Sequence, residues 1–188
     1  MIYEAIIITR NPDRGLQIVP MGYRAENRQI VIAPFRPSTT LENLRRTGEA
    51  TVNMTDNVVI LAGCLTGRRD WPTVPARVVD GARLEDTLAH MELVVARVED
   101  DEVRPRFFCT VKHQEIHAPF QGFNRAQAAV VEAAILVSRL DRLSPKKVDA
   151  EINYLRIAID KTAGERERQA WNWLMERVQS FRGEGGGA

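Results

Sequence analysis

The chain has 188 residues and no apolar run that approaches the ~20 needed to cross a bilayer, which excludes a helical membrane protein. It has no basic-then-apolar leader, because Met1 runs straight into a strand-like segment, and a cytoplasmic location is expected. It has no excess charge of one sign. Lys and Arg number 26 against 25 Asp and Glu, a net of +1, so no global field favours nucleic acid or an anionic membrane. It has only two cysteines, Cys64 and Cys109, without CxxC spacing, and two free thiols are expected ahead of a disulfide or a metal pair. No internal repeat is present, and no Ser/His/Asp or Cys/His arrangement marks nucleophilic catalysis. What is there, 44% hydrophobic and 27% charged residues, is ordinary globular composition, long enough for one or two domains.

The first two thirds read as strands. Ile2 to Arg10 is rich in β-branched residues and ends on the turn signal Asn11-Pro12-Asp13-Arg14-Gly15. Leu16 to Met21 resumes, Tyr23 to Asn27 reads as a break, and Gln29 to Ala33 begins a third strand, together an antiparallel meander. Thr39 and Glu42 have capping-box spacing before a short helix with Leu41 and Leu44 on its apolar face, ended by Thr47-Gly48. Ala50 to Thr55, Val78 to Gly81 and Glu92 to Asp100 read as strands, Leu84 to His90 as a short helix, and Val103 to His117 as a strand interrupted at Pro105. Val58 to Ala62 is apolar, and Gly63 to Pro75 reads as a loop.

Near Gly122 the period changes. Ala126, Ala129, Val130, Ala133, Val137 and Leu140 recur at helical spacing. Ser144-Pro145 opens a second helix with Val148, Ile152, Leu155 and Ile159 on one stripe, and a third carries Ala170, Trp173, Leu174, Val178 and Phe181. Strands first and helices last give an α+β protein. The expected organisation is a β-barrel domain over 1–120, a helical subdomain over 121–182 and a flexible tail over 183–188.

The stretch from Ile32 to Asp56 is the most informative. Arg36, Ser38, Thr39 and Thr40 precede or open a short helix, where unpaired N–H groups and the positive end of the helix dipole favour an anion. Hydroxyls donate to phosphate oxygens, and a guanidinium adds a charge-assisted contact. A phosphate site is one reading; a plain N-cap beside a surface arginine is the other.

Beyond that, the chain resembles the family of archaeal and methylotroph proteins known as domain of unknown function family 447, which belongs with the flavin-reductase-like split barrels. The resemblance rests on Ile2-Tyr3-Glu4-Ala5-Ile6, Thr9-Arg10-Asn11, Pro20-Met21-Gly22, Ala33-Pro34-Phe35 and Ser38-Thr39-Thr40. It continues through Glu42-Asn43-Leu44, Thr47-Gly48-Glu49-Ala50, Val52-Asn53, Thr55-Asp56 and Gly122-Phe123-Asn124-Arg125-Ala126, with Glu132-Ala133, Ile135 and Arg139. It implies an FMN-binding split β-barrel, antiparallel and Greek-key-like, with a C-terminal three-helix segment. It also implies a homodimer with FMN near the subunit interface. The phosphate would meet the Ser38 to Thr40 corner and the ring would lie near Pro20, Met21 and Gly22; Arg36 and Asn43 are further cofactor-binding candidates. Family members accompany tetrahydromethanopterin-linked one-carbon metabolism, which points to a pterin.

Physically, Gly22 permits close backbone approach and Met21 is a polarizable neighbour for a ring, although a plain strand end fits the same residues. Asn53, Thr55 and Asp56 can bond the ribityl chain or serve as turn residues. Asn124 reads as an N-cap or, with Arg125, as a cofactor contact; Glu132 and Arg139, two helical turns apart, suggest a buried network. His113 and His117 on a strand stand ~13 Å apart, too far for one ion, so no metal is expected there. Arg68, Arg69 and Trp71 form a basic-aromatic loop patch, either an exposed or dimer contact or a site for an anionic substrate tail. Trp171 and Trp173 cannot both face the core. The leading expectation is a flavin-dependent oxidoreductase acting on a small molecule such as a pterin, a nicotinamide or a second flavin; the alternatives are a non-catalytic FMN carrier and a dimeric interaction protein.

Overall fold

The computed structural model describes residues 1–185. They divide into two compact units, residues 1–55 with 70–120, and residues 56–69 with those from 121 onward.

The first unit is a closed six-stranded barrel. Its strands are β1 (Ile2–Arg10), β2 (Leu16–Glu26), β3 (Gln29–Ile32), β4 (Glu49–Met54), β7 (Ala89–Glu99) and β8 (Arg106–Ile116). They close in the order β1-β2-β3-β8-β7-β4, with every pair antiparallel. The two-residue period of a strand decides the two faces. Ala5, Ile7, Val52, Leu93, Phe107 and Cys109 point into one core, which helix α1 (Thr39–Thr47) joins through Leu41 and Leu44. Ile6, Ile8, Thr51 and Asn53 face outward yet are buried. The excursion between β4 and β7, with the hairpin β5 (Thr73–Pro75) and β6 (Ala82–Leu84), accounts for this: Thr51 Oγ1 donates to Ala82 O at 2.6 Å and Leu84 N to Asn53 Oδ1 at 2.8 Å.

Four local expectations are corrected. β2 runs unbroken through Tyr23 to Glu26, and the turn falls at Asn27 and Arg28, both at positive φ. Leu84 to His90 is no helix, because Thr87 Oγ1 bonds Met54 O and Ala89 O and holds the segment as a strand-to-strand connection. Val78 to Gly81 is a bend whose amides bond carboxylates instead of a neighbouring strand. The apolar run at 58 is helix α2 (Val58–Leu65), capped by Asn57, so the loop starts later than Gly63.

The second unit holds α2, α3 (Arg125–Val137), α4 (Pro145–Thr162) and α5 (Glu165–Gly185). Asn124 and Ser144 cap α3 and α4 as the sequence suggests, with Pro145 in the first turn. The buried stripe of α4 is Val148, Ile152 and Ile159, and Ala170, Trp171, Leu174 and Val178 of α5 are buried. Trp173 receives the Arg68 guanidinium 3.8 Å above its ring, which gives that arginine a packing role within this unit. Glu132 and Arg139 are both exposed, so they form no buried network. Residues 183–185 continue α5, and the rest of the expected tail lies outside the described residues.

Candidate functional site

Ser38 has the extended backbone of an N-cap, and its Oγ accepts the Leu41 N–H at 3.3 Å. The amides of Thr39 and Thr40 fall in the first turn, which has no intrahelical acceptor for them. Thr39 is exposed there and Thr40 is buried. The corner thus offers helix-end N–H groups and one open hydroxyl to an anion. Gly48, at φ 68°, ends the helix in the left-handed conformation that glycine adopts without strain. Asn43, on the inner face of α1, donates to Thr9 Oγ1 at 3.0 Å and Asn11 Oδ1 at 2.8 Å, so it fastens the helix to β1.

Arg36 is engaged beside this corner. Its Nη2 donates to Asp100 Oδ1 at 2.8 Å and Asp101 O at 3.4 Å, and Arg45 reaches the same Asp100 oxygen at 3.0 Å. An open groove is lined by Arg36, Asp100, Asp101 and Glu102. Backbone N–H bonds from Arg104 and Val103 hold the Asp101 carboxyl below its ordinary range, so the groove carries negative charge.

The other sequence candidates fall in different places. Pro20 and Gly22 lie on the outer face of β2, opposite Ile6 and Glu4 of β1. Met21 turns inward and packs against the core. A Cβ built on Gly22 would stand 2.7 Å from Ile2 Cγ2, so the glycine makes room for a neighbouring side chain of the same sheet. Asn53 is fully buried: its amide donates to Ile6 O and Thr51 Oγ1 and its oxygen accepts Leu84 N. Thr55 Oγ1 donates to Asp86 O at 3.1 Å. Asp56 stands before α2, and its carbonyl accepts the Val58 N–H at 3.0 Å. Asn124 Oδ1 accepts the amides of Ala126 and Gln127 while Arg125 is exposed, both in the helical unit. Within the barrel unit, the structure gathers Arg36, Ser38, Thr39 and Thr40 at one corner and Pro20 and Gly22 on one outer strip.

A second constellation was missed by sequence reasoning. All three histidines of the chain meet on the outside of the barrel: the His90 ring lies 5.0 Å from that of His117 and 5.6 Å from that of His113. A β-bulge brings this about. Leu93 pairs with Val111 but Glu92 with His113, so Lys112 is the extra residue. Without it, His113 would share the inward parity of Phe107, Cys109 and Val111; the bulge turns His113, Glu115 and His117 to the outer face with His90 and Glu92. His113 and His117 flank His90 and belong to two separate groups of potential ligands.

Glu92 anchors the cluster. Its side chain is fully buried. Oε1 accepts Arg77 N at 2.7 Å, and Oε2 accepts Val78 N at 2.6 Å and Val79 N at 3.0 Å. His90 Nε2 lies 3.2 Å from Oε1. Burial pushes the Glu92 pKa up, but these donors outweigh it and hold the carboxyl below its ordinary value. An ionised Glu92 makes Nε2 the protonated nitrogen of His90 and leaves the Nδ1 lone pair facing His117 Nε2 at 2.9 Å. Burial, with Arg83 and the other two histidines, pushes the His117 pKa below its ordinary value against the pull of Glu115.

Comparison with known proteins places this geometry. No curated protein matches the chain. Among solved structures, the FMN-bound protein MM1853 of Methanosarcina mazei superposes with a TM-score of 0.80 at 16% identity, covering 94% of each chain. The styrene monooxygenase flavin reductase of Pseudomonas putida S12 matches with a TM-score of 0.52 at 13% identity, over 62% of this chain and 80% of that one. An FMN-binding protein from Thermus thermophilus, solved with 1-cyclohex-2-enone, gives 0.51 at 14% identity, over 60% and 69%. The fold is that of the FMN-binding split barrels. The model described as "Protein of unknown function (DUF447) N-terminal domain" matches residues 3–118, and its companion "Protein of unknown function (DUF447)" matches residues 124–176. With barrel and helical segment both accounted for, the chain belongs to the DUF447 family.

Proposed function

We propose that this chain is an FMN-binding flavoprotein, an oxidoreductase that acts on a small molecule as a homodimer. The observation that carries the reading is an anion-accepting helix end, built from Ser38, Thr39 and Thr40, in a chain whose fold follows an FMN-bound member of its own family along 94% of its length. The donor set suits a phosphate monoester: two first-turn amides and the open Thr39 hydroxyl, with Arg36 able to exchange its exposed Asp100 partner for a phosphate oxygen. Bound FMN would supply hydride or electron transfer, and the protein its orientation and electrostatics. The outer strip of Pro20 and Gly22 is the ring-side candidate. The exposed Met1, Ile2 and Tyr3 at the start of β1 give that strip an apolar border suited to a partner subunit. A nicotinamide or a reduced pterin is the electron donor the reading expects.

The test is a flavin-fluorescence titration of the purified chain and of a Ser38→Ala/Thr39→Ala variant. Tight FMN binding by the chain, weakened at least about tenfold in a variant that still folds, is expected for loss of the Thr39 hydroxyl donor to a charged group together with the Ser38 cap that fixes the first-turn amides. Equal affinity in both overturns the phosphate assignment. Anaerobic mixing of the FMN-loaded chain with a nicotinamide or a tetrahydropterin then reads the redox step. Flavin bleached by neither marks a carrier.

A further inference from the structure

We infer that His90, His117 and Glu115 form a binding site for a first-row divalent transition ion of the Zn2+ class on the outer face of the barrel, with Glu92 as the buried group that orients His90.

His90 Nδ1 and His117 Nε2 face each other at 2.9 Å. With the His90 Nε2–H directed at Glu92, the Nε2–H of His117 is the donor between them. Two imidazole nitrogens bound to one tetrahedral ion stand about 3.3 Å apart, so a few tenths of an ångström of opening admits the ion. The hydrogen on His117 Nε2 then moves to Nδ1 of the same ring. Glu115 supplies the third ligand: its carboxylate oxygen and the two nitrogens lie within 4.8 Å of one another, and its exposed side chain, whose Oε2 now lies 3.5 Å from His113 Nε2, can turn from that weak contact to close the distance.

Glu92 is what distinguishes this cluster from three histidines that merely stack. Metal-ligating histidines as a rule give their other ring N–H to a carboxylate or carbonyl, which fixes the tautomer and raises ligand basicity. Glu92 does this for His90 and is itself immobilised by the amides of residues 77 to 79. The charges also suit a dication, since the carboxylates of Glu92 and Glu115 outweigh the Arg83 guanidinium that acts on His117. Two imidazoles and one carboxylate favour Zn2+, Ni2+ or Cu2+ over the oxygen-seeking Mg2+ and Ca2+. Solvent at the exposed side completes the shell. The alternative group, His90, Glu92 and His113, would have to take as ligand a carboxylate already held by three amides.

The experiment uses the tag-free, chelator-dialysed full chain, titrated with Co2+ for its visible absorption and with Zn2+ in competition. One saturable equivalent is expected. His117→Gln and Glu115→Gln, both at accessible positions, should each weaken it about tenfold or more, and Glu92→Gln should weaken it about tenfold through His90. His113→Gln, which removes the competing contact to Glu115, should leave it unchanged or tighten it slightly. Circular dichroism checks that each variant is folded, and should Glu92→Gln fail to fold, the two surface variants still decide. Absence of a saturable equivalent, binding that survives both surface substitutions, or binding lost with His113→Gln overturns the site.

Discussion

Asn53 and Leu84, 31 residues apart, are joined by a buried hydrogen bond of 2.8 Å from the Leu84 backbone N–H to the Asn53 carboxamide oxygen. The same carboxamide donates to Ile6 O at 3.2 Å and Thr51 Oγ1 at 3.1 Å, so one side chain ties together β1, β4 and β6. Asn53→Ala leaves the Leu84 amide and the Ile6 carbonyl buried without this partner, a loss of about 1–3 kcal/mol. The denaturant midpoint should fall while FMN affinity of the folded chain stays the same. A weakened FMN complex with an unshifted midpoint would instead put Asn53 in the flavin site.

The Arg36–Asp100 pair predicts a gain. Asp100→Asn removes the carboxylate that now holds both Arg36 and Arg45 and reduces the negative charge of the adjoining groove. The pair is exposed, so freeing Arg36 should tighten FMN binding only about two- to fivefold, in line with the energy of exposed ion pairs. The gain should vanish in an Asp100→Asn/Arg36→Gln double variant and shrink at high salt. A fluorescence titration reads all three, and unchanged affinity in Asp100→Asn removes Arg36 from the site.

Glu92 gives the barrel an acid-sensitive point. Its folded pKa lies below the ordinary value, so its contribution is complete above that value and is lost as pH falls through the folded pKa. His117 acts in the same direction: with its pKa pushed below the ordinary 6.5, its contribution is complete above 6.5 and falls away on acidification below it. In chelator, Glu92→Gln should cost about 3 kcal/mol at neutral pH and flatten the acid limb of the stability curve. Urea unfolding across the pH range measures both, and an unaltered acid limb would show that the amides of 77 to 79 do not hold an ionised carboxylate.

Gly22→Ala places a methyl 2.7 Å from Ile2 Cγ2, so Ile2 must move. Thermal unfolding should show a loss of up to about 1 kcal/mol, less than for a methyl group inserted into a core, because Ile2 is exposed and can turn aside. Ile2→Ala in the same chain should restore most of it. If the double variant is no more stable than Gly22→Ala alone, the glycine is required by something other than Ile2.

Much of this protein is decided by local chemistry that reads directly off the chain. The β-branched run of β1 and the 3.6-residue stripe of α4 need only their own composition and period. The caps Asn124 and Ser144 need only the amides that follow them, within three residues, whereas the cap of α1 is Ser38, one residue before the Thr39 of the expected capping box. What tertiary structure alone decided lies where a partner is distant or parity changes. Asn53 and Asn43 match a ligand-site pattern equally well as free polar groups or as bolts between elements; their partners, 31 to 47 residues away, make them bolts. Met21 and Gly22 are neighbours in sequence, yet the strand's period of two sends one into the core and the other to the surface. The histidine cluster was hidden for the same reason: a single extra residue at Lys112 reverses the face of everything after it, and only cross-strand pairing reveals such a residue.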